Sequence, residues 1–373
     1  MTTPNTYRGE VVYMFAFDVA YGIKREPIGS LLGHPVEQFV VDASKRNPRR
    51  LFFYRPQVVR LPAVERQGPR GPVRMERSVK LLQVGALSIT VRLPFEVANI
   101  RELVEFHDLE FADGSALLNE VTQLASNVCS ELGAHLIKPL PTLAAEEAYT
   151  VFCIASPLVG PDGACLNAET WLHANRRDVA ALLTQETDPE HLSRQESDES
   201  TSLHLSYYDH DIAVIDWDAA LLMDVPANFD EALYIMELAN LQLAELEAYD
   251  RILDDSLESA YRDMLIRPIR SRRGVLGQLR EIRIDLARLS DELSNITKFF
   301  GDWHLARIYQ HLSTRFHLGD WHRTIDEKLK TLDDLYELLN QDRMNRWMLT
   351  LEITIVLLFV IDLIMLFFSM RGH

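Results

Sequence analysis

The stretch Trp347–Met370 reads WMLTLEITIVLLFVIDLIMLFFSM. As an α-helix rising 1.5 Å per residue it extends roughly 36 Å, enough to cross about 30 Å of hydrocarbon. Only Arg371, Gly372 and His373 follow it. The expectation is a large water-soluble body on one C-terminal, tail-anchored membrane span. Arg343 and Arg346 precede the apolar run and Lys328 and Lys330 lie further upstream, against Arg371 alone beyond it. That asymmetry predicts a body on the cytoplasmic side. The opening MTTPNTYRGEVVYMFAF has neither a basic-then-apolar signal pattern nor an Arg-rich amphipathic leader, which fits a body that stays in the compartment of its synthesis.

A chain of 373 residues suggests two soluble units plus the anchor. Its 47% hydrophobic and 25% charged residues are those of a protein able to bury a core. Cys129, Cys153 and Cys165 are odd in number and lack C-x-x-C spacing, so they read as free thiols in a reducing compartment. Net charge is −17, yet residues 1–80 carry 14 Lys and Arg against 7 Asp and Glu. Non-specific nucleic-acid binding over the whole surface is thereby disfavoured, while local contact through the basic stretch stays open.

Working back from the span, an apolar stripe at Ile325, Leu329, Leu332, Tyr336 and Leu339 predicts one helix from near Trp321 into the membrane, with bundle or coiled-coil spacing. Asn228–Asp263, free of Gly and Pro, predicts another helix, and residues 276–293 a third after a break at Arg267–Gly274. The tetrapeptide Gly-Asp-Trp-His recurs at Gly301–His304 and Gly319–His322, where Gly would end one helix and Asp cap the next. Further upstream, Ser206–Asp224 reads as a hairpin around Asp216-Trp217-Asp218, and Thr184–Thr201 as a mobile acidic loop. Glu10–Tyr21, Arg50–Leu61 and Ala148–Ser156 read as strands, Ser78–Leu93 as a hairpin turning near Gly85, and Glu65–Arg77 as an exposed Arg/Gly/Pro loop. An amphipathic helix over Ser115–Leu132 stops at Gly133. The expected fold class is α+β: an N-terminal mixed α/β body over 1–183, the acidic loop over 184–205, a hairpin and helical stalk over 206–346, and the transmembrane helix over 347–370.

Two acids lie in the apolar run. Asp362 falls about 5 Å from its midpoint, where a charge costs roughly 2.5–3.5 kcal/mol. A very apolar helix can tolerate one such acid, or the acid can hydrogen-bond between copies of the chain; a proton or ion pathway is a third reading. Glu352 sits near the interface and can reach headgroups. Arg267, Arg270, Arg272 and Arg273 form a basic turn that suits solvent, or a phosphate on a lipid headgroup or RNA. The same ambiguity attaches to Arg66, Arg70, Arg74 and Arg77, which no aromatic residues interleave. Asp209-His210-Asp211 and Asp216-Trp217-Asp218 offer weak metal-ligand patterns against turn capping, and His304 and His311 share a helical face without acids or cysteines nearby. No phosphate-loop, dinucleotide, H-E-x-x-H or G-x-S-x-G motif occurs. The reading is non-enzymatic, with no cofactor and no metal.

The C-terminal third carries, in one order, Phe299-Phe300-Gly301-Asp302-Trp303, Ile308-Tyr309, Asp326-Glu327-Lys328-Leu329, Leu338-Leu339-Asn340, Leu351-Glu352 and Ile361-Asp362. Over Ser206–Phe368 this order resembles the required-for-meiotic-nuclear-division family, also catalogued as domain of unknown function 155. Ile353 stands where that family has Trp, and Asp362 where it has Glu. The resemblance implies a membrane-anchored homo-oligomer that positions ribosomes near the membrane, here as a bacterial inner-membrane relative contacting lipid, itself and, through basic loops, ribosome or RNA. The plan also resembles CorA-type ion channels, which carry two spans and a Gly-Met-Asn signature absent here. An enzyme of unknown chemistry in the N-terminal domain is the remaining alternative.

Overall fold

The computed structural model describes residues 6–24, 26, 28–38, 56–82, 85–140, 143, 146–160, 163–266, 284 and 303–371. They fall into two compact units, one of Met1–Ala248 with Asp285–Trp321 and one of Tyr249–Ile284 with His322–His373.

The first unit is built on one large sheet. Its strands are β1 (Tyr7–Asp18), β5 (Glu37–Gln38), β6 (Gln57–Gly68), β7 (Gly71–Leu81), β8 (Ala86–Val97), β10 (Glu147–Ala155), β11 (His204–Leu205), β12 (Ile212–Ile215) and β13 (Ala219–Asp224). They lie in the order β11-β12-β13-β10-β1-β8-β7-β6-β5. Pairing is antiparallel throughout except between β10 and β13. Two small ribbons accompany it: β2 (Ala20–Ile23) with β9 (Leu136–Pro139), and β3 (Ser30–Leu31) with β4 (His34–Pro35).

Strand alternation gives the sheet two faces. On one, Val11, Tyr13, Phe15, Val79, Ile89 and Val91 bury against α1 (Leu117–Leu132), α2 (Ala168–Leu183) and a 3₁₀ turn, Ile100–Phe106. The stripe Leu117, Val121, Ala125, Val128 and Leu132 supplies the contact from α1. Asn99 caps the 3₁₀ turn in a reciprocal box with Glu102. The opposite face meets α4 (Phe229–Ile266) and α5 (Trp303–Arg315). Asn240 donates to the Glu147 carbonyl at 3.0 Å, and Tyr149 packs edge-on against Phe316. Tyr309 of α5 donates to Gln242 of α4 at 2.6 Å. The unit is therefore a helix–sheet–helix sandwich.

Four expectations need correction, the last of them at the start of the final helix. The Arg/Gly/Pro segment over 65–77 is the tip of a long β6–β7 hairpin, closed by the two-residue turn Pro69-Arg70. The acidic stretch over 184–205 is no simple loop: it holds a 3₁₀ turn at Pro189–His191, α3 (Arg194–Ser200) and β11. Ser193 caps α3 by accepting from the Glu196 amide, and Ser197 and Thr201 return their hydroxyls to backbone carbonyls, so the helix buries hydroxyls rather than alkyl groups. The third is the 183/206 boundary, because β12 and β13 belong to the N-terminal sheet and no break falls there.

Elsewhere β1, α1, β10, the β12–β13 hairpin and α4 lie where strands and helices are expected. At Gly85 the chain needs glycine: φ is +104°, and its carbonyl accepts from both Val19 and Ala20. The final helix, α6 (Leu318–Arg371), contains the long apolar stretch. Gly319 and Asp320 lie inside its first turn, so the expected Gly stop and Asp cap are replaced by His317, in the left-handed region at φ +50°. Gly301 and Asp302, the break over 267–274 and the expected helix over 276–293 lie outside the described residues, apart from Ile284.

In the second unit Lys328 of α6 bridges Asp250 and Asp254 of α4, at 2.6 Å each. Leu253, Ile325, Leu329 and Leu332 are buried there.

Candidate functional site

The face of the sheet toward α4 changes character along its width. Under β1, β10 and β13 it is apolar, with Val12, Met14, Val151 and Leu222 buried. Toward β8, β7 and β6 the same face turns polar. Register aligns Arg60 with Ser78 and Thr90, Lys80 with Ser88, and Glu76 with Arg92. Opposite them α4 presents Asp230, Tyr234 and Glu237 at helical spacing. Glu237 forms an ion pair with Lys80, accepts from Ser88 Oγ at 2.5 Å, and both charges are almost wholly enclosed. Lys80 Nζ lies 5.7 Å from the centre of the Tyr234 ring. Arg92 reaches Asp230 at 2.5 Å and Glu10 at 3.5 Å. Burial raises the Glu10 carboxyl, with Arg92 opposing.

Between this polar face and α4 lies a partly open cavity of about 560 Å³. Arg60, Arg74, Arg77, Lys80 and Arg92 line it, against the carboxylates Glu76, Asp230 and Glu237. Four of the cations are engaged: Arg60 with Glu37, Arg77 with the Pro62 carbonyl, Lys80 with Glu237 and Arg92 as above. Among the described residues Arg74 makes no ion pair or hydrogen bond. Burial depresses the Arg77 guanidinium, and neighbouring Arg66 adds to the shift while Glu120 opposes it.

The residues singled out from the sequence are scattered. Of the hairpin arginines, Arg66 pairs with Glu120 of α1 at 2.7 Å and Arg70 pairs with Glu102 and Glu105, so both clamp the hairpin to its own body. Only Arg74 and Arg77 reach the cavity. Asp211 accepts from the Tyr207 and Tyr208 amides as a turn cap. Asp216 is buried beside Arg315, 3.4 Å away, and burial raises its carboxyl with Arg315 opposing. Among the described residues no three His, Cys, Asp or Glu side chains converge as metal ligands. His304 meets the Tyr207 ring edge-on, and burial lowers the His311 imidazole, with Arg307 and His204 adding to it. Glu352 and Asp362 lie exposed on α6. Arg267, Arg270, Arg272 and Arg273 fall outside the described residues.

Arg315 also reaches Glu199 at 3.3 Å and the Glu199 carbonyl at 3.0 Å, tying α5 to α3. Arg315→Met should cost about 2–3 kcal/mol, the worth of hydrogen bonds to charged groups. The deficit has a pH signature. With Arg315 gone, the folded pKa of Asp216 rises further above its unfolded value, so the folded state holds a proton the unfolded state has lost. The variant should approach wild-type stability below the unfolded carboxylate pKa and fall behind as pH rises through the folded one. Denaturation midpoints across an acid-to-neutral series check this; a pH-independent deficit would contradict it.

Fold and cavity together define an α+β sandwich on a mixed nine-stranded sheet, with a charged concavity under its fourth helix. The chain belongs to the family described as "Uncharacterized protein MJ0711, N-terminal domain", whose model matches residues 8–230. A relative from Methanocaldococcus jannaschii, "Uncharacterized protein MJ0711", is 24% identical over 226 residues, covering 59% of this chain and 65% of its own length. No solved structure matches. The family match overlaps only the beginning of the stretch, from Ser206 onward, that resembles the meiotic-nuclear-division family.

Proposed function

We propose that the protein is a membrane-anchored, self-associating scaffold or tether, with its body on the cytoplasmic side of the membrane. One observation carries the reading. Within α6 the window Trp347–Ile364 has a mean hydropathy of 2.3, and none of it is buried within the protein. Leaving that many large apolar side chains in water opposes the hydrophobic effect, whereas lipid removes the penalty. The length and composition suit a single span. The finer likeness to the required-for-meiotic-nuclear-division family agrees with this plan, since Glu352 and Asp362 fall on its two intramembrane acidic positions. An exposed acid within the span supports hydrogen bonding between copies.

Leu357→Lys combined with Ile361→Lys adds roughly 3 kcal/mol of insertion cost per lysine. The full-length wild type should sediment with membranes and resist alkaline extraction; the double variant should move to the supernatant. Wild-type protein released without detergent would defeat the anchor. Self-association has its own measurement: Asp362→Leu and Asp362→Lys should both change the particle mass in detergent. If both run at the wild-type mass, Asp362 does not join copies.

A further inference from the structure

We propose that the cavity between the β6–β8 face and α4 binds a phosphorylated small molecule of mononucleotide size. The inference is independent of the membrane anchor and rests on charge, shape and lining. On a chain of net charge −17, five cations and three carboxylates converge on one concavity. Like charges held together at a half-buried site repel, and an anion from outside relieves that repulsion. The internal acids satisfy part of this charge: Glu237 takes the enclosed Lys80, and the exposed Asp230 takes Arg92. The mouth is different. Arg74 is uncommitted among the described residues, and Arg60 holds only the exposed Glu37.

Guanidinium forks match the paired oxygens of a phosphate better than a point charge does. Size narrows the class further. A cavity of about 560 Å³ lies in the range that holds small organic ligands and is far larger than an inorganic ion requires. Val12, Met14 and Leu233 supply an apolar wall, and the Tyr234 ring a flat one. A ligand with a phosphate at the mouth and an aromatic or alkyl portion against these residues fills both halves. A nucleotide and a phospholipid headgroup with its glycerol share that chemistry, and binding experiments separate them.

The full-length chain in an uncharged detergent would be titrated at low ionic strength with adenosine monophosphate and, separately, with phosphatidylglycerol micelles. Arg74→Gln and the double Arg60→Gln/Arg74→Gln remove mouth cations that carry no part of the core. Arg177→Gln, a surface arginine of α2 paired with Glu190, serves as control. Saturable binding of adenosine monophosphate, weakened roughly tenfold for each charge-assisted bond lost and untouched in the control, supports a soluble ligand. The same pattern with phosphatidylglycerol alone supports a headgroup. Absence of saturable binding in both arms, or binding unchanged in the double variant, overturns the proposal. Thermal unfolding of the variants at the wild-type midpoint confirms that any loss is one of binding.

Discussion

Glu237→Ala should lower the unfolding free energy of the body by about 3–5 kcal/mol, the cost of leaving a buried charge without its partner. The Lys80 side chain is 11% exposed and that of Glu237 7%, so water cannot replace the lost carboxylate. Ser88 would also lose its acceptor at 2.5 Å. The double replacement Lys80→Met/Glu237→Leu should recover most of the deficit, because removing both charges removes both desolvation costs. A thermodynamic cycle from urea unfolding of the four proteins reads the coupling. If the double variant is no better than the single one, the pair contributes through attraction and the desolvation argument fails.

Gly85→Ala should cost roughly 2–6 kcal/mol, combining left-handed backbone strain with overpacking. A Cβ built at Gly85 would lie 1.7 Å from the Ala20 carbonyl oxygen. That oxygen is backbone and cannot swing aside. Relief requires the β1–β2 corner to move away, which breaks the hydrogen bonds from Val19 and Ala20 to the Gly85 carbonyl. Hydrogen exchange at those two amides should therefore speed up more than at the centre of β1. Gly114 is the comparison: its φ is +79° but nothing lies within 4 Å of a Cβ there, so Gly114→Ala should show the strain alone.

How legible the fold was depends on what each element buries. The strands β1 and β10 announce themselves as continuous runs of apolar residues, and the helix α1 by alkyl groups recurring at helical period. The helix α2 does not. Its middle, His173-Ala174-Asn175-Arg176-Arg177-Asp178, is polar, and Asn175 is non-helical in its backbone angles. The amide of Asn175 satisfies the Trp171 carbonyl there. Its start was nevertheless written in Asn167, which caps by accepting from the Thr170 amide. For α3 the signal was Ser193 followed by Glu196, a capping pattern with no apolar run behind it.

The cavity was hidden for a different reason. Its walls come from strand residues no later than Arg92 and from a helix starting at Phe229, and no linear motif links them. Half of it was nonetheless visible as parity: Arg74, Glu76, Ser78 and Lys80 alternate with Met75, Arg77, Val79 and Leu81, a set in which Arg77 alone is charged. A strand with one alkyl face and one charged face, in a sheet covered on both sides, must meet a helix able to answer the charge.

The ends of the large sheet have a consequence for assembly. Each is finished by a strand of two residues, His204-Leu205 on one side and Glu37-Gln38 on the other. The two borders differ: β11 lies beside the four-residue β12 and leaves few open amides and carbonyls, whereas β5 pairs with only Gln57 and Val58 of the twelve-residue β6. Sheet-to-sheet growth into fibres is therefore poorly templated at the β11 border, and a strand arriving from another molecule would find more unpaired backbone along β6 than there.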